Sequence, residues 1–122
     1  MRDPARAAAA EAGLRPERDL YVTYLLKRRP RRAYDREAAW AAYLPLLRRQ
    51  IGAVGPRALV CAGDTVVHAV LAPGADVQGL RGRVLCVEGR PAVVTYHPLA
   101  ARRRPALYPL LVADLVAARR LL

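Results

Sequence analysis

Apolar residues recur along this chain in two rhythms, one helical and one strand-like, and their alternation predicts an α/β architecture. The stretch from about Asp3 to Ala12 is rich in alanine, the strongest helix former, and Gly13 stands where a cap is needed, so a first helix is expected to end there. Leu20-Tyr-Val-Thr-Tyr-Leu-Leu26 is a continuous apolar run between charged flanks and predicts a buried strand. Asp35 can cap a helix reaching to about Val54, in which Trp40, Leu44, Leu47 and Ile51 form an apolar stripe and Pro45 predicts a kink.

The second half continues the alternation. Arg57 to Ala62 reads as a short buried strand, Gly63 as the turn after it, and Asp64 to Ala72 as a helix stopped by Pro73-Gly74. Val84–Val87 and Ala92–Tyr96 are two apolar runs joined by Glu88-Gly-Arg-Pro91, a spacing that suits a hairpin with a short loop. Pro105 is expected to open a last helix, with Leu107, Leu111, Leu115 and Leu122 on one face and Arg119 and Arg120 in its final turn. The pattern predicts a three-layer α/β sandwich around a short, mostly parallel sheet, built as one domain over residues 1–122. A chain of this length buries about two thirds of its unfolded surface. It shows neither an internal repeat nor a low-complexity linker.

Charge narrows the partners. Lys and Arg total 21 against 10 acids, for a net charge of +11. Lys27 is the only lysine. GC-rich codon usage would enrich arginine, but it does not remove acids, so a polyanion is the expected partner, since such a field attracts phosphate backbones without reading sequence. No apolar run approaches the ~20 residues of a membrane span, which predicts a soluble protein with no membrane partner. The N-terminal residues lack the pattern of a secretory signal, and a cytoplasmic location is expected. Cys61 and Cys86 each sit inside an apolar segment without a metal-ligand spacing, so both are expected to be buried thiols and no cofactor or metal is expected.

Several segments, in order, carry a resemblance. They are Leu20-Tyr-Val-Thr-Tyr-Leu-Leu-Lys-Arg-Arg-Pro30, Tyr43-Leu-Pro45 through Gln50-Ile51, Pro56 to Gly63, Leu80-Arg-Gly-Arg-Val84, and Val93-Val-Thr-Tyr-His-Pro98. Taken together they resemble the later part of an iron–sulfur, family-four uracil-DNA glycosylase, from about Ala5 onward. The resemblance implies a glycosylase-like sheet that lacks its first strand, with the runs at Leu20–Leu26 and Arg57–Ala62 lying parallel, as neighbours or across the gap. It implies His97 as the catalytic imidazole. It places Tyr24 in the substrate pocket, where the family has the asparagine that reads uracil. Two cluster cysteines align with Arg28 and Tyr43, neither of which can ligate iron, and the family's Gly-Glu-Ala-Pro-Gly-type acid loop has no counterpart here.

The reaction that the resemblance implies makes an oxocarbenium-like sugar and a uracil anion from a flipped deoxyuridine. A prepositioned imidazole N–H can stabilise the anion. Positioning of water and reading of the uracil edge require groups that are absent or replaced, because a tyrosine hydroxyl cannot supply an amide's paired donor and acceptor. Arg102, Arg103 and Arg104 follow His97 where the family has a loop that enters the DNA groove; with Pro98, Arg81 and Arg83 they are the expected DNA-binding residues. Each also has a plainer reading, as a solvated charge run for the arginine triplet and as turn chemistry for Arg81-Gly-Arg83. His68, among Val66, Val67 and Val70, is expected to be structural. The function expected is that of a truncated, cluster-free glycosylase homologue with DNA affinity and little activity alone. The alternatives are a protein-interaction subunit of a repair or replication complex, or one half of a split enzyme whose sheet a second chain completes.

Overall fold

The computed structural model of the protein describes residues 4–22 and 36–122, and a three-stranded sheet stands at its centre. The strands are β1 (Leu59–Ala62), β2 (Leu85–Val87) and β3 (Arg90–Thr95), in the order β1-β3-β2. β1 runs parallel to β3 with Leu59 opposite Ala92 and Ala62 opposite Thr95, whereas β2 runs antiparallel to β3. The chain divides into two units, residues 1–21 with 57–122 and residues 22–56.

Helices cover both faces of the sheet in the larger unit. On one face, Cys61 and Val94 pack with Val67 of α4 (Asp64–Val70) and Val77 of α5 (Val77–Leu80). The opposite face carries Val93 and Thr95 and is covered by α7 (Tyr108–Arg119). Outside α7 lie α1 (Pro4–Glu11) and α6 (Pro98–Arg103), whose small residues Ala8, Ala9 and Ala101 pack with Leu111 and Leu115. Alanine at those positions lets the helices approach closely. A one-turn helix α2 (Pro16–Asp19) follows α1, and a 3-10 turn at Pro105–Leu107 leads into α7. The fold is the expected layered α/β class, with a mixed sheet.

The smaller unit holds α3 (Arg36–Val54), which runs through Pro45 without interruption. Leu47 and Ile51 of the expected stripe are buried and Leu44 is half-buried. Trp40's side chain and the Asp35 cap lie outside the described residues. So do Tyr24, the rest of the run at 23–26 and the basic cluster at 27–32. The described part of that run, Leu20 to Val22, lies outside the sheet.

Four local expectations are corrected. The hairpin loop is two residues, Glu88 and Gly89, both at positive φ (51° and 73°), not four. That is the tight turn whose twist matches antiparallel strands. Val87 and Arg90 close it, so Cys86 and Pro91 form a pair without ladder hydrogen bonds between them, and β1 pairing begins only at Ala92. Pro91 therefore removes no sheet hydrogen bond. Cys86 is exposed, not buried, whereas Val87 beside it, on the other face of β2, is buried. Leu122 is 53% exposed, beyond the end of α7, and Ala118 takes the buried position in its place. Finally, Arg102 and Arg103 belong to a helix, α6, and not to a loop.

The difference between Leu111 and Leu122 is measurable. Leu111→Ala is expected to lower unfolding free energy by about 2–5 kcal/mol, and Leu122→Ala to change it by less than about 0.5 kcal/mol, in urea titrations followed by circular dichroism. Equal effects would contradict the packing of α7.

Candidate active site

Chain direction makes the carboxyl ends of the parallel strands β1 and β3 a point of divergence. After β1 the chain turns into α4 on one face, and after β3 it turns into α6 and α7 on the other. Such divergence of neighbouring connections is where open α/β sheets bind ligands. Gly63 and His97 stand just beyond the ends of the two strands.

Gly63 is held at φ +93°, a conformation that disfavours any side chain, and its N–H donates to the Thr95 carbonyl at 3.0 Å, one step past the end of β1. A Cβ built on Gly63 would lie 3.2 Å from the Cβ of His97. Glycine thus meets two demands at once, a left-handed turn and close approach to the histidine.

His97 is the N-cap of α6, with φ −62° and ψ 137°, the extended conformation that a following proline requires. Its Nδ1 accepts the Leu99 N–H at 3.0 Å. An imidazole whose Nδ1 is an acceptor carries its proton on Nε2 when neutral, so the ring offers one fixed donor. Burial holds its pKa below the ordinary 6.5, which favours that neutral form. The arrangement can stabilise negative charge developing at an acceptor near Nε2 without first changing its protonation state.

Behind His97 lies a charged network. Arg81 donates from Nε to Asp114 Oδ2 at 2.8 Å and from Nη2 to Oδ1 at 3.0 Å, a two-pronged pair. Asp114 is 7% exposed, and its Oδ2 also accepts from the Thr95 hydroxyl at 2.7 Å. The guanidinium stands 5.5 Å from the centre of the Tyr96 ring. Hydrogen bonding to Asp114 raises the pKa of Arg81 above its usual value. Arg81, expected among the DNA contacts, has its fork engaged by a buried carboxylate.

The remaining expected residues are dispersed. Arg83 is exposed after Gly82, which has φ +84°. Pro98 is half-buried as the first residue of α6, and Arg102, Arg103 and Arg104 are exposed at its carboxyl end. His68 accepts the Gly74 N–H at Nδ1, 2.8 Å away, and so braces the turn after α4. A cavity of about 50 Å³ beside Asp114, lined by Gly82, Arg83, Val84 and Val93 among others, has room for a few waters only and not for a base. Sequence reasoning missed Asp114 and Thr95, although a lone acid among Leu111, Val112 and Leu115 was a usable signal.

The iron–sulfur cluster that the resemblance implies does not fit these residues. The whole chain has two cysteines. Cys61 pairs with Val94 and Cys86 with Pro91, and β3 places Val94 and Pro91, three residues apart, on opposite faces of the sheet. Burial pushes the Cys61 thiol up to about 11, away from the thiolate that binds iron. Among the described residues no three His, Cys, Asp or Glu converge as metal ligands.

A model of the uracil DNA glycosylase superfamily matches residues 5–116. The chain is 34% identical over 103 aligned residues to the Type-4 uracil-DNA glycosylase of Pyrobaculum aerophilum, covering 73% of this chain and 50% of that protein. The chain belongs to the uracil DNA glycosylase superfamily. It spans about half the length of the curated relative it matches.

Two measurements test the arrangement at the strand ends. Gly63→Ala is expected to destabilise the fold by about 1–2 kcal/mol through backbone strain and to displace the His97 resonances in NMR spectra. The lowered pKa of His97 means that below about pH 6.5 the unfolded chain takes up the proton first. Stability from this group is therefore complete above 6.5 and falls as pH drops through the folded value. Thermal melts at pH 7.5 and 5.0 should show a larger loss for the native chain than for His97→Asn, which keeps a capping side chain. An equal loss would remove His97 as the cause.

Proposed function

We propose that this chain is a DNA-binding uracil-DNA glycosylase homologue of base-excision repair, a single family domain that keeps the anion-stabilising histidine but does not release uracil by itself. The observation that carries this reading is His97, fixed as an Nε2–H donor at the strand ends. Two nearby carboxylates are already committed, Asp64 to the Val77 N–H at 2.9 Å and Asp114 to Arg81 and Thr95. Neither is placed as an evident orienter of water. At Tyr24, which lies outside the described residues, the side chain cannot replace the uracil-reading amide.

DNA affinity resides in Arg102, Arg103 and Arg104, exposed at the end of the helix that His97 begins, with Arg83 and Pro98 as further contacts. The net charge of +11 supports a phosphate partner. No helix among the described residues is long and apolar enough to cross a membrane, and a cytoplasmic site of action agrees with a DNA substrate. A second reading, completion of the sheet by another chain in a split glycosylase, is favoured by β1, which is one of the two end strands among the described residues.

Binding to duplex DNA is expected to weaken steeply with salt, and changing Arg102, Arg103 and Arg104 together to Glu should reduce the log–log slope by about 0.9 for each phosphate that the variant leaves unneutralised. Fluorescence anisotropy across a salt series checks this, and an unchanged slope would sink the assignment. On a uracil-containing oligonucleotide, abasic-site formation should equal that of His97→Ala. Product that disappears in that variant would show a competent enzyme. Activity only after mixing with a fragment bearing the acid loop would favour the split form.

A further inference from the structure

The two residues that lead into His97 are held from three directions. On the β1 side, Gly63 bonds the Thr95 carbonyl and leaves just enough room for the His97 Cβ. On the α7 side, Asp114 takes the Thr95 hydroxyl at 2.7 Å. From the end of α5, Arg81 reaches the same carboxylate and passes over the ring of Tyr96. Thr95 and Tyr96 are the two residues that precede His97, and Pro98 restricts the backbone after it.

The buried acid does more than the helix needs. α7 already buries Leu111, Leu115 and Ala118, and an apolar residue at 114 would serve packing without the desolvation of a charge. A charge there makes sense if direction matters, because a carboxylate with two occupied oxygens fixes its partners by angle as well as distance.

We propose that Asp114, acting through Thr95 and Arg81, is a positioning residue that sets where the His97 imidazole stands and which of its nitrogens bears the proton. The inference deepens the reading of His97 as an Nε2–H donor and rests on it. It predicts that loosening the end of β3 frees Nδ1 from the Leu99 N–H, after which both tautomers are populated.

The test uses the full chain with 15N-labelled histidine and no DNA, so that its outcome is separate from the outcome of the binding and uracil-release assays. Long-range imidazole spectra report the tautomer of each ring, and amide exchange reports the Leu99 N–H. His68 is an internal control, since its Nδ1 accepts the Gly74 N–H in the same manner at a different place. In the native chain both rings should show Nε2–H alone. In Thr95→Val, which removes only the hydroxyl donor, the His97 ring should become a tautomer mixture and the Leu99 amide should exchange about tenfold faster. His68 and the Gly74 amide should not change. Thr95→Ser, which keeps the hydroxyl, should restore the native pattern.

Asp114→Asn and Arg81→Lys should give the His97 change in stronger form. If Asp114→Asn does not fold, Thr95→Val decides the matter, because it leaves the charge pair in place. A folded Thr95→Val with native His97 signals and native Leu99 exchange overturns the proposal. Equal change at His97 and His68 also overturns it, since that would mean general loosening.

Discussion

Burying a carboxylate in the middle of a helix is costly unless both oxygens are occupied, and the larger unit is arranged to occupy those of Asp114. An unpaired charge in that position would cost several kcal/mol. The pair to Arg81 and the bond from Thr95 tie together the end of α5, strand β3 and helix α7. Hydrophobic packing holds each layer to its neighbour but tolerates sliding. The charged network does not, because hydrogen bonds to a carboxylate weaken steeply once their angles change. The layers are therefore locked in register at the end of the sheet where His97 emerges.

From that register the character of the site follows. β1 and β3 end side by side, their onward connections part to opposite faces, and the place where they part carries a residue with no side chain against a residue with an imidazole. The histidine caps a helix that begins with proline and ends in three arginines. One short element thus carries a neutral donor at its beginning and positive charge at its end. Cations at a helix carboxyl end are also favoured by the helix dipole, so the arginines suit the local fold as well as a phosphate partner.

The elements that the sequence made legible are those with a strong local signal. The alanine run, the Gly63 turn, the two strands of the hairpin and the leucine stripe of the last helix all declare themselves through propensity or period. The His97 motif was legible as a resemblance. What escaped were features decided by distant partners. Asp114 reads locally as one polar residue on a helix; only Arg81, 33 positions away, explains its burial. α6 was hidden because histidine is an unusual cap, although Pro98 followed by Leu-Ala-Ala-Arg-Arg is a sound helix start. The two-residue turn was missed because Glu88 in a left-handed conformation is uncommon and Pro91 looked like part of the loop. Cys86 is exposed while its neighbour Val87 is buried, because burial depends on what packs over each face of β2, and that cannot be read from a single segment.

The packing of α1 on α7 has a consequence for biosynthesis. Ala8 and Ala9 are fully buried, and they are buried by residues near the other end of the chain, Leu111 and Leu115. A ribosome makes the first of these long before the last. Until α7 has cleared the exit tunnel, the alanine face has nothing to dock on, and the face of the sheet that bears Val93 and Thr95 waits uncovered as well. The cluster of Cys61, Val67, Val77 and Val94 is complete in the chain before α7 is made, so the docking of α1 on α7 is a later step than the packing of that face.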